Sequence, residues 1–591
     1  MSKEILSRLT SLRTVMASNN IDAIIVPGTD PHQSEYYAHH WGCRTWISGF
    51  NGSAGTVVIT ADSAGLWTDS RYFIQADKQL NGTGITLFKE GLPETPSYQE
   101  WLVSTLQPHA AIGIDGTLFS TTAVEEMIQY FESNNIRLVT DFTPFDNIWE
   151  ERPPLPRNPF YIHEEKYSGE STTSKLQRVV EAIHQNGADA LLLSSLDDIA
   201  WLFNIRGNDI PYNPLTYAYA YIDDNRRILF IDNKKINEEN SSYLQNMGIE
   251  QQPYQAVFDF VSSIQEKTIS INPNKLNYTL YNKITTNTTR QDSPTTLFKA
   301  IKNETQIAGI QHAMIRDGVA LIRLVRWLDS HIDSGDATEI TTAQQLKAFR
   351  AEQDLFIDES FATIAGYNEH GAIVHYSATP ESDAVIRRKG FLLLDSGAQY
   401  VDGTTDITRT IPVGSLTLQQ KRDFTIVLKG HIALARCQFP EGTRGAQLDA
   451  VARLPLWEQG LTYLHGTGHG VGHFLNVHEG PQSIRLQENP TPLMSGMITS
   501  NEPGLYRTGE YGIRHENLIL TAPIRETEFG KFYHFETLTL FPFDKRALDM
   551  NLLLPHEIAW INDYHRMVYD KLKSSLTTEE REWLREATSA I

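Results

Sequence analysis

Two pairs of acidic residues and a run of histidines between them hold the candidate chemistry of this chain. In FLLLDSGAQYVDGTTDITRT, residues 391–410, an apolar run with the length and composition of a buried strand ends on Asp395. An apolar neighbourhood does not accept such a carboxylate unpaired. Asp402-Gly403 is a turn signal, and the chain then runs back through alternating Thr and Ile past Asp406, so the two aspartates can face each other across a hairpin. Two inward carboxylates repel, and a divalent cation between them is the economical remedy. Taken alone, the stretch reads equally well as a strand cap and a solvated hairpin residue.

Downstream, LHGTGHGVGHFLNVHEG carries four histidines, His465, His469, His473 and His478, among alternating glycines. The glycines invite a phosphate-loop reading, but such a loop opens a helix, whereas Phe474–Val477 reads as a short extended segment ending at His478. Their better use is to let backbone and imidazoles approach a substrate closely. In ITSNEPGLYRTGEYGIRHENLIL, Glu502 ends a strand at a Pro-Gly turn and Glu516 lies on the returning strand, which repeats the aspartate hairpin. Four carboxylates with one imidazole suit manganese, cobalt, iron or a catalytic zinc pair better than a structural zinc. Their charge balances two divalent cations, with a bridging water polarised from both sides. Four unrelated surface acids is the competing reading, and the Pro-Gly turn and the histidine run weigh against it.

These residues must be held by a strand-rich segment that begins near Ser360. Before it, Asn303 can cap a helix through Val325, whose buried face would carry Ile307, Ile310, Met314, Val319, Leu321 and Leu324, and a second helix covers roughly 342–355. Earlier still the chain repeats itself. A leading helix, the strand IDAIIVPG, then WISGFNGSAGTVVIT and GLWTDSRYF recur as GADALLLSS, WLFNIRGND, TYAYAYI and RILFIDN, with Trp46 matching Trp201 and Asp69 matching Asp232. The linker ERPPLPRNP, residues 151–159, carries four prolines. Three domains are expected: 1–152, 153–300 as a duplicate of the first α/β unit, and 301–591 with a helical C-terminal extension that shows no site of its own.

The 591 residues carry a formal charge of -21 without a Lys/Arg-rich run, which disfavours nucleic acid or an anionic membrane as a partner. Cys43 and Cys437 are the only cysteines, so a disulfide framework and a Cys-built zinc site are excluded. The N-terminal residues read as an amphipathic helix and not a signal peptide, and no apolar run is long enough to cross a bilayer, so a cytoplasmic location is expected.

Together the motifs DSGAQYVDGTTDITRT, HGTGHGVG, NEPG and GIRHEN, in that order, resemble the metallopeptidases of the pita-bread fold, most closely the three-domain Xaa-Pro aminopeptidases, also called aminopeptidase P. SGFNGSAG, WTDSRYF and WLFNIRGND resemble that family's N-terminal and middle-domain signatures. The resemblance implies an α/β (α+β) chain with two creatinase-like N-terminal domains followed by a pita-bread catalytic domain. It implies a metal-dependent exopeptidase that releases the N-terminal residue from peptides with proline in the second position, by hydroxide held between two metal ions. Asp395, Asp406, His469, Glu502 and Glu516 would be the ligands, with manganese the usual metal and cobalt, iron or zinc as alternatives. His375, His478 and Glu502 would be catalytic, with His375 and His478 also touching substrate. His465, Tyr506 and Arg514 would shape the proline pocket, although Tyr506 also reads as packing and Arg514 as the partner of a ligand carboxylate. His473 stands where relatives often carry a smaller residue. A homodimer is implied. The rival readings are a prolidase, which generally lacks the second α/β copy; a creatinase-like amidinohydrolase, which lacks the metal ligands; and a non-enzymatic peptide-binding module.

Overall fold

The duplication read from the sequence is written in two sheets of identical strand order. The structure is a computed structural model that describes residues 2–591. They form two compact units, Met1–His163 with Glu170–Thr295, and Glu164–Gly169 with Thr296–Ile591. In the first unit, β1 (Ala23–Val26), β2 (Thr56–Thr60), β3 (Ala64–Thr68), β4 (Thr86–Lys89), β5 (Ala111–Gly113) and β6 (Arg137–Val139) assemble as β4-β3-β2-β1-β5-β6. Further along, β7 (Ala190–Leu193), β8 (Ala218–Asp223), β9 (Arg227–Ile231), β10 (Glu250–Gln252), β11 (Ile269–Ile271) and β12 (Thr288–Arg290) assemble as β10-β9-β8-β7-β11-β12. The sense of pairing is also the same, with a central antiparallel meander and parallel pairs at both flanks. Each copy begins with a helix that buries one stripe, Ile5, Leu9, Leu12 and Met16 in Ser2–Ser18 and Leu176, Val179 and Ile183 in Thr172–Gln185. Trp46 and Trp201 both sit on short helices, and Asp69 and Asp232 both follow the strand they were expected to end.

In the second unit Asn303 caps the helix Glu304–His331 through a reciprocal box with Gln306. This helix runs past Val325, because Leu328 continues the buried stripe. Thr338 caps the next helix, Glu339–Ala351, which stops short of residue 355 as the chain turns through Leu355 at φ +65°. The strand-rich expectation from Ser360 needs a correction. Two long helices, Leu418–Ala435 and Gly445–Trp457, interrupt it. The first carries the run Thr425-Ile426-Val427-Leu428, β-branched in its first three residues and buried at every position, and the second has Pro455 inside it, so neither shows helical periodicity.

Around these helices β13 (Ile364–Tyr367), β14 (Phe391–Ser396) and β15 (Ile407–Pro412) form one antiparallel sheet. A second sheet joins β16 (Gln438–Pro440), β17 (Gly468–Gly470), β18 (Glu479–Ile484), β19 (Ile498–Asn501), β22 (Asn517–Thr527) and β23 (Gly530–Thr537), in the order β16-β23-β22-β19-β17-β18. A hairpin of β20 (Gly504–Arg507) and β21 (Tyr511–Arg514) projects between β19 and β22. Leu392, Leu393 and Leu394 are all buried, so β14 is covered on both faces and carries Asp395 into the interior.

Candidate active site

Asp395 pairs across the sheet with Thr408, and Asp406 lies just before β15, two positions from Thr408. The aspartates therefore share a face on a diagonal and do not stand directly opposite one another. The tight turn at Val401-Asp402 closes a small hairpin with Tyr400 opposite Gly403, and Asp402 is drawn away by Arg316. Arg350 pins the end of β14 by donating to both oxygens of Asp317, to Ser396 Oγ and to the Gly397 carbonyl.

On the facing side, β19 and β22 pair as far as Asn501 opposite Asn517, and Glu502 and Glu516 sit just beyond that last pair. The expected simple Pro-Gly turn is instead the entry to the β20–β21 hairpin, which leaves both glutamates at its root. His469 lies on β17 at a bulge, with Nδ1 2.9 Å from the Gly470 carbonyl, so Nδ1 donates and Nε2 is the nitrogen left to face the acids. Nε2 is 3.4 Å from Asp406 Oδ2 and 3.5 Å from Glu502 Oε1. One ligand atom each from Asp406, His469 and Glu516 lie within 4.8 Å of one another. A Cβ on Gly468 would stand 1.9 Å from the Ser500 carbonyl, which only a shift of β17 away from β19 could relieve. Gly468→Ala is thus expected to destabilise the fold by about 1–3 kcal/mol in urea unfolding and to weaken Mn2+ binding, because the strand that must move carries His469.

The cluster is short of positive charge. Asp395, Asp406 and Glu516 are 8%, 3% and 1% exposed, and Oδ1 of each aspartate has no hydrogen-bond partner among the described residues. Burial, together with repulsion from neighbouring carboxylates, holds Glu516 well above its ordinary pKa and raises Asp395. The same causes push Glu502 up to about 7. Burial opposes the charged form of His469, yet Asp406 and Glu502 overcome it and lift that pKa to about 9. Orphaned carboxylate oxygens, an imidazole aimed at them and mutual repulsion are what residues awaiting divalent cations look like, so the donor set fits the metal ions implied by the sequence.

Around this cluster a chain of hydrogen bonds joins three further predicted residues. Arg514 pairs with Asp395 and donates to the Tyr506 hydroxyl at 2.7 Å, and Tyr506 lies 2.8 Å from His465 Nε2. Arg514 therefore holds a cluster carboxylate and the Tyr506 phenol at once. His478 presents its ring edge-on to His469, with centroids 4.4 Å apart. His375 is half-buried beside Val374, whose carbonyl lies 3.4 Å from Arg514 Nη2. His473 is buried. The expectation of an extended segment at Phe474–Val477 is wrong: Phe474, Leu475 and Val477 are bends, with Phe474 at φ +49° and the Gly472 N–H donating to the Asn476 carbonyl. No helix follows the glycine run, in keeping with the rejection of a phosphate loop.

A model of the creatinase/prolidase N-terminal domain matches residues 8–151, and a second such model matches residues 151–306. Metallopeptidase family M24 matches residues 308–523, and the C-terminal region of peptidase M24 matches 531–591. The chain is 41% identical to aminopeptidase P2 of Arabidopsis thaliana, over 98% of this chain and 87% of that protein. It is equally 41% identical to Xaa-Pro aminopeptidase 1 of Dictyostelium discoideum, over 96% and 92%. The chain belongs to the aminopeptidase P group of metallopeptidase family M24. Among solved structures, the X-prolyl aminopeptidase of Caenorhabditis elegans, described as a cytosolic enzyme with a di-nuclear active site, superposes with a TM-score of 0.94 at 35% identity, covering 99% of this chain and 100% of that one. The Xaa-Pro dipeptidase of Bacillus anthracis reaches a TM-score of 0.51 at 25% identity and covers 63% of this chain.

This M24 metallopeptidase thus has two creatinase-type α/β domains ahead of a pita-bread domain. Sequence reasoning missed the hydroxyls that hold its glutamates. Thr408 donates to Glu516 Oε2 at 2.7 Å and Ser500 to Glu502 Oε1 at 3.1 Å. The signal was present, since each hydroxyl stands two residues from an acid, Thr408 from Asp406 and Ser500 from Glu502, and so shares its face of an extended strand.

Proposed function

We propose that this enzyme releases the N-terminal residue from peptides whose second residue is proline, with two divalent ions, manganese foremost, held by Asp395, Asp406, His469, Glu502 and Glu516. The observation that carries the reading is the convergence of these side chains beside the His465–Tyr506 pair. Proline lacks an N–H and offers a compact apolar ring, which an imidazole and a phenol can flank without leaving a buried donor or acceptor unpaired. When bound, the ions supply Lewis acidity towards the scissile carbonyl and the attacking water. His375 and His478 hold the substrate's polar backbone. Once tetrahedral, the proline nitrogen must take up a proton to leave, and His478 or Glu502 hands it over. Arg514 keeps Asp395 ionised and Tyr506 oriented throughout. The relatives named Xaa-Pro aminopeptidase support this choice. The dipeptidase reading is disfavoured because the relatives that match nearly the whole chain, in Arabidopsis, Dictyostelium and Caenorhabditis, carry aminopeptidase names.

The reading extends to a cytosolic homodimer. The Caenorhabditis elegans enzyme is described as cytosolic, and among the described residues no helix is long and apolar enough to cross a membrane. Light scattering checks the assembly. The activity is tested by digesting a mixed peptide library with protein stripped of metal and then reloaded with Mn2+. Loss of the first residue only from Xaa-Pro-Xaa peptides, and only after reloading, is the expected result. Cleavage confined to Xaa-Pro dipeptides would install the prolidase reading, and intact peptides with no metal uptake would install the binding module.

A further inference from the structure

Behind the glutamates lies a buried polar layer that the proposed reaction does not use. The ladder between β19 and β22 ends at Asn501 and Asn517, immediately before the two glutamates; beyond it the Glu502 N–H donates to the Thr467 carbonyl and the Glu516 N–H to the Thr408 carbonyl, and the adjoining carbonyls are taken up by side chains. His431, on the helix Leu418–Ala435, places Nδ1 3.0 Å from the Asn501 carbonyl and 3.2 Å from the His515 carbonyl. Asn501 Nδ2 returns a bond to the His431 carbonyl at 3.0 Å, and Asn517 Nδ2 donates to His431 Nε2 at 3.1 Å. Those partners fix a neutral imidazole with the proton on Nδ1. One ring therefore spans the gap between the residue before Glu502 and the residues on either side of Glu516.

The same Asn517 offers Oδ1 to Arg409 at 2.8 Å, and Arg409 also donates to the Glu516 carbonyl at 2.6 Å and to the Thr408 carbonyl at 3.0 Å. Its remaining partners come from the C-terminal region: the Phe541 carbonyl at 2.6 Å, the Pro542 carbonyl at 3.4 Å and the Tyr564 hydroxyl at 2.9 Å, with the Phe543 ring 4.1 Å away. Tyr564 in turn lies 2.9 Å from the carbonyls of both Thr539 and Phe541. Arg409, His431, Asn501, Asn517 and Tyr564 are all buried, and the Arg409 guanidinium is met by carbonyls, an amide oxygen and a phenol. A buried guanidinium satisfied only by carbonyls, an amide and a phenol is held by geometry, and every one of its bonds must be kept.

We propose that His431, Asn517, Arg409 and Tyr564 form a positioning layer that sets the separation of Glu502 and Glu516, so that the C-terminal region governs how tightly the site holds its metal ions. The inference rests on the metal reading under Proposed function and adds to it a role for residues that contact no substrate. Groups hydrogen-bonded to metal ligands typically change affinity by about 10–100-fold when removed, and a layer that acts through the ligands' backbone is expected at the lower end of that range.

The test is calorimetric titration of metal-stripped, full-length protein with Mn2+, alongside the melting temperature of the stripped protein. His431→Leu removes all three ring contacts, to the Asn501 and His515 carbonyls and to Asn517, and is expected to weaken Mn2+ binding by about tenfold or more. His431→Asn keeps a donor near the Nδ1 position and is expected to recover most of that loss. Tyr564→Phe removes one hydroxyl from the C-terminal side and is expected to weaken binding in the same direction, and it decides the matter if His431→Leu fails to fold. Wild-type Mn2+ affinity in Tyr564→Phe and His431→Leu, with only the melting temperature lowered, would reduce the layer to a folding role and overturn the proposal. If the wild-type protein takes up no Mn2+, the metal reading fails and takes this inference with it; if it does bind Mn2+ and the variants match it, the inference alone fails.

Discussion

Asp406→Asn is expected to lower kcat/KM by about 10³-fold or more, roughly 4 kcal/mol of transition-state stabilisation, while the metal-stripped variant melts at or above the wild-type temperature. The two halves of this result have one cause. Asp406 is buried, its Oδ1 has no hydrogen-bond partner among the described residues, and its charge helps to raise the pKa of Asp395, Glu502 and Glu516. Without cations that charge repels Asp395, Glu502 and Glu516 and attracts only His469, and the amide relieves the larger set of repulsions. With cations Asp406 is a proposed ligand, and the amide removes a unit of negative charge from the place where that role needs it. The stabilisation that wild type gains from Mn2+, about 4 kcal/mol at a thousandfold excess over Kd, should therefore shrink in the variant. The stripped wild type should also lose stability as pH rises. Glu502 is raised to about 7 and His469 to about 9, so each contributes stability that is present below its unfolded pKa and is lost as pH climbs through the folded one. Melting curves from pH 5 to 9, with and without Mn2+, check both signs, and wild-type turnover by Asp406→Asn without excess metal would remove the metal assignment.

The proposed ligands were legible because each stands at the end of a recognisable run: Asp395 after an apolar strand, His469 among glycines, Glu502 before Pro-Gly. The duplication was legible for the same reason, since strand, turn and strand recur with their tryptophans and aspartates in step. The helix Leu418–Ala435 was not, because Thr425 to Leu428 are buried on all sides and a β-branched run loses the amphipathic signature of a helix. The bends at Phe474–Val477 were hidden because a phenylalanine at φ +49° gives no local signal in the sequence. His431 and Arg409 were invisible for a different reason. Their partners come from segments far away in the chain, Asn501, Asn517 and Tyr564 among them, and such convergence exists only after folding. The sequence reports what a residue is and what its neighbours are, and hydrogen-bond layers depend on neither.

Arg514→Met is expected to cost about 3–5 kcal/mol of stability in the metal-stripped protein, with the larger loss at higher pH. Arg514 is 1% exposed and forms an ion pair with Asp395; it also donates to Tyr506 and lies 3.2 Å from Thr408 Oγ1. Methionine fills much of the same volume but leaves the Asp395 carboxylate buried and uncompensated, beside Asp406, which already repels it. The carboxylate then escapes by taking up a proton, so urea unfolding at pH 5 should show a smaller difference from wild type than unfolding at pH 8. Mn2+ offers the same carboxylate a replacement cation, and the variant should therefore gain more stability from Mn2+ than wild type does, provided the site still closes around it. Activity should not return with that stability, because the Tyr506 hydroxyl has lost the donor that orients it towards His465. Arg514→Lys separates the two roles: a single ammonium can neutralise Asp395 but cannot reach Asp395, Tyr506 and Thr408 with the planar fork of a guanidinium. It should regain most of the stability at pH 8 and little of kcat/KM, whereas equal recovery of both would mean that Arg514 serves the site only as a charge.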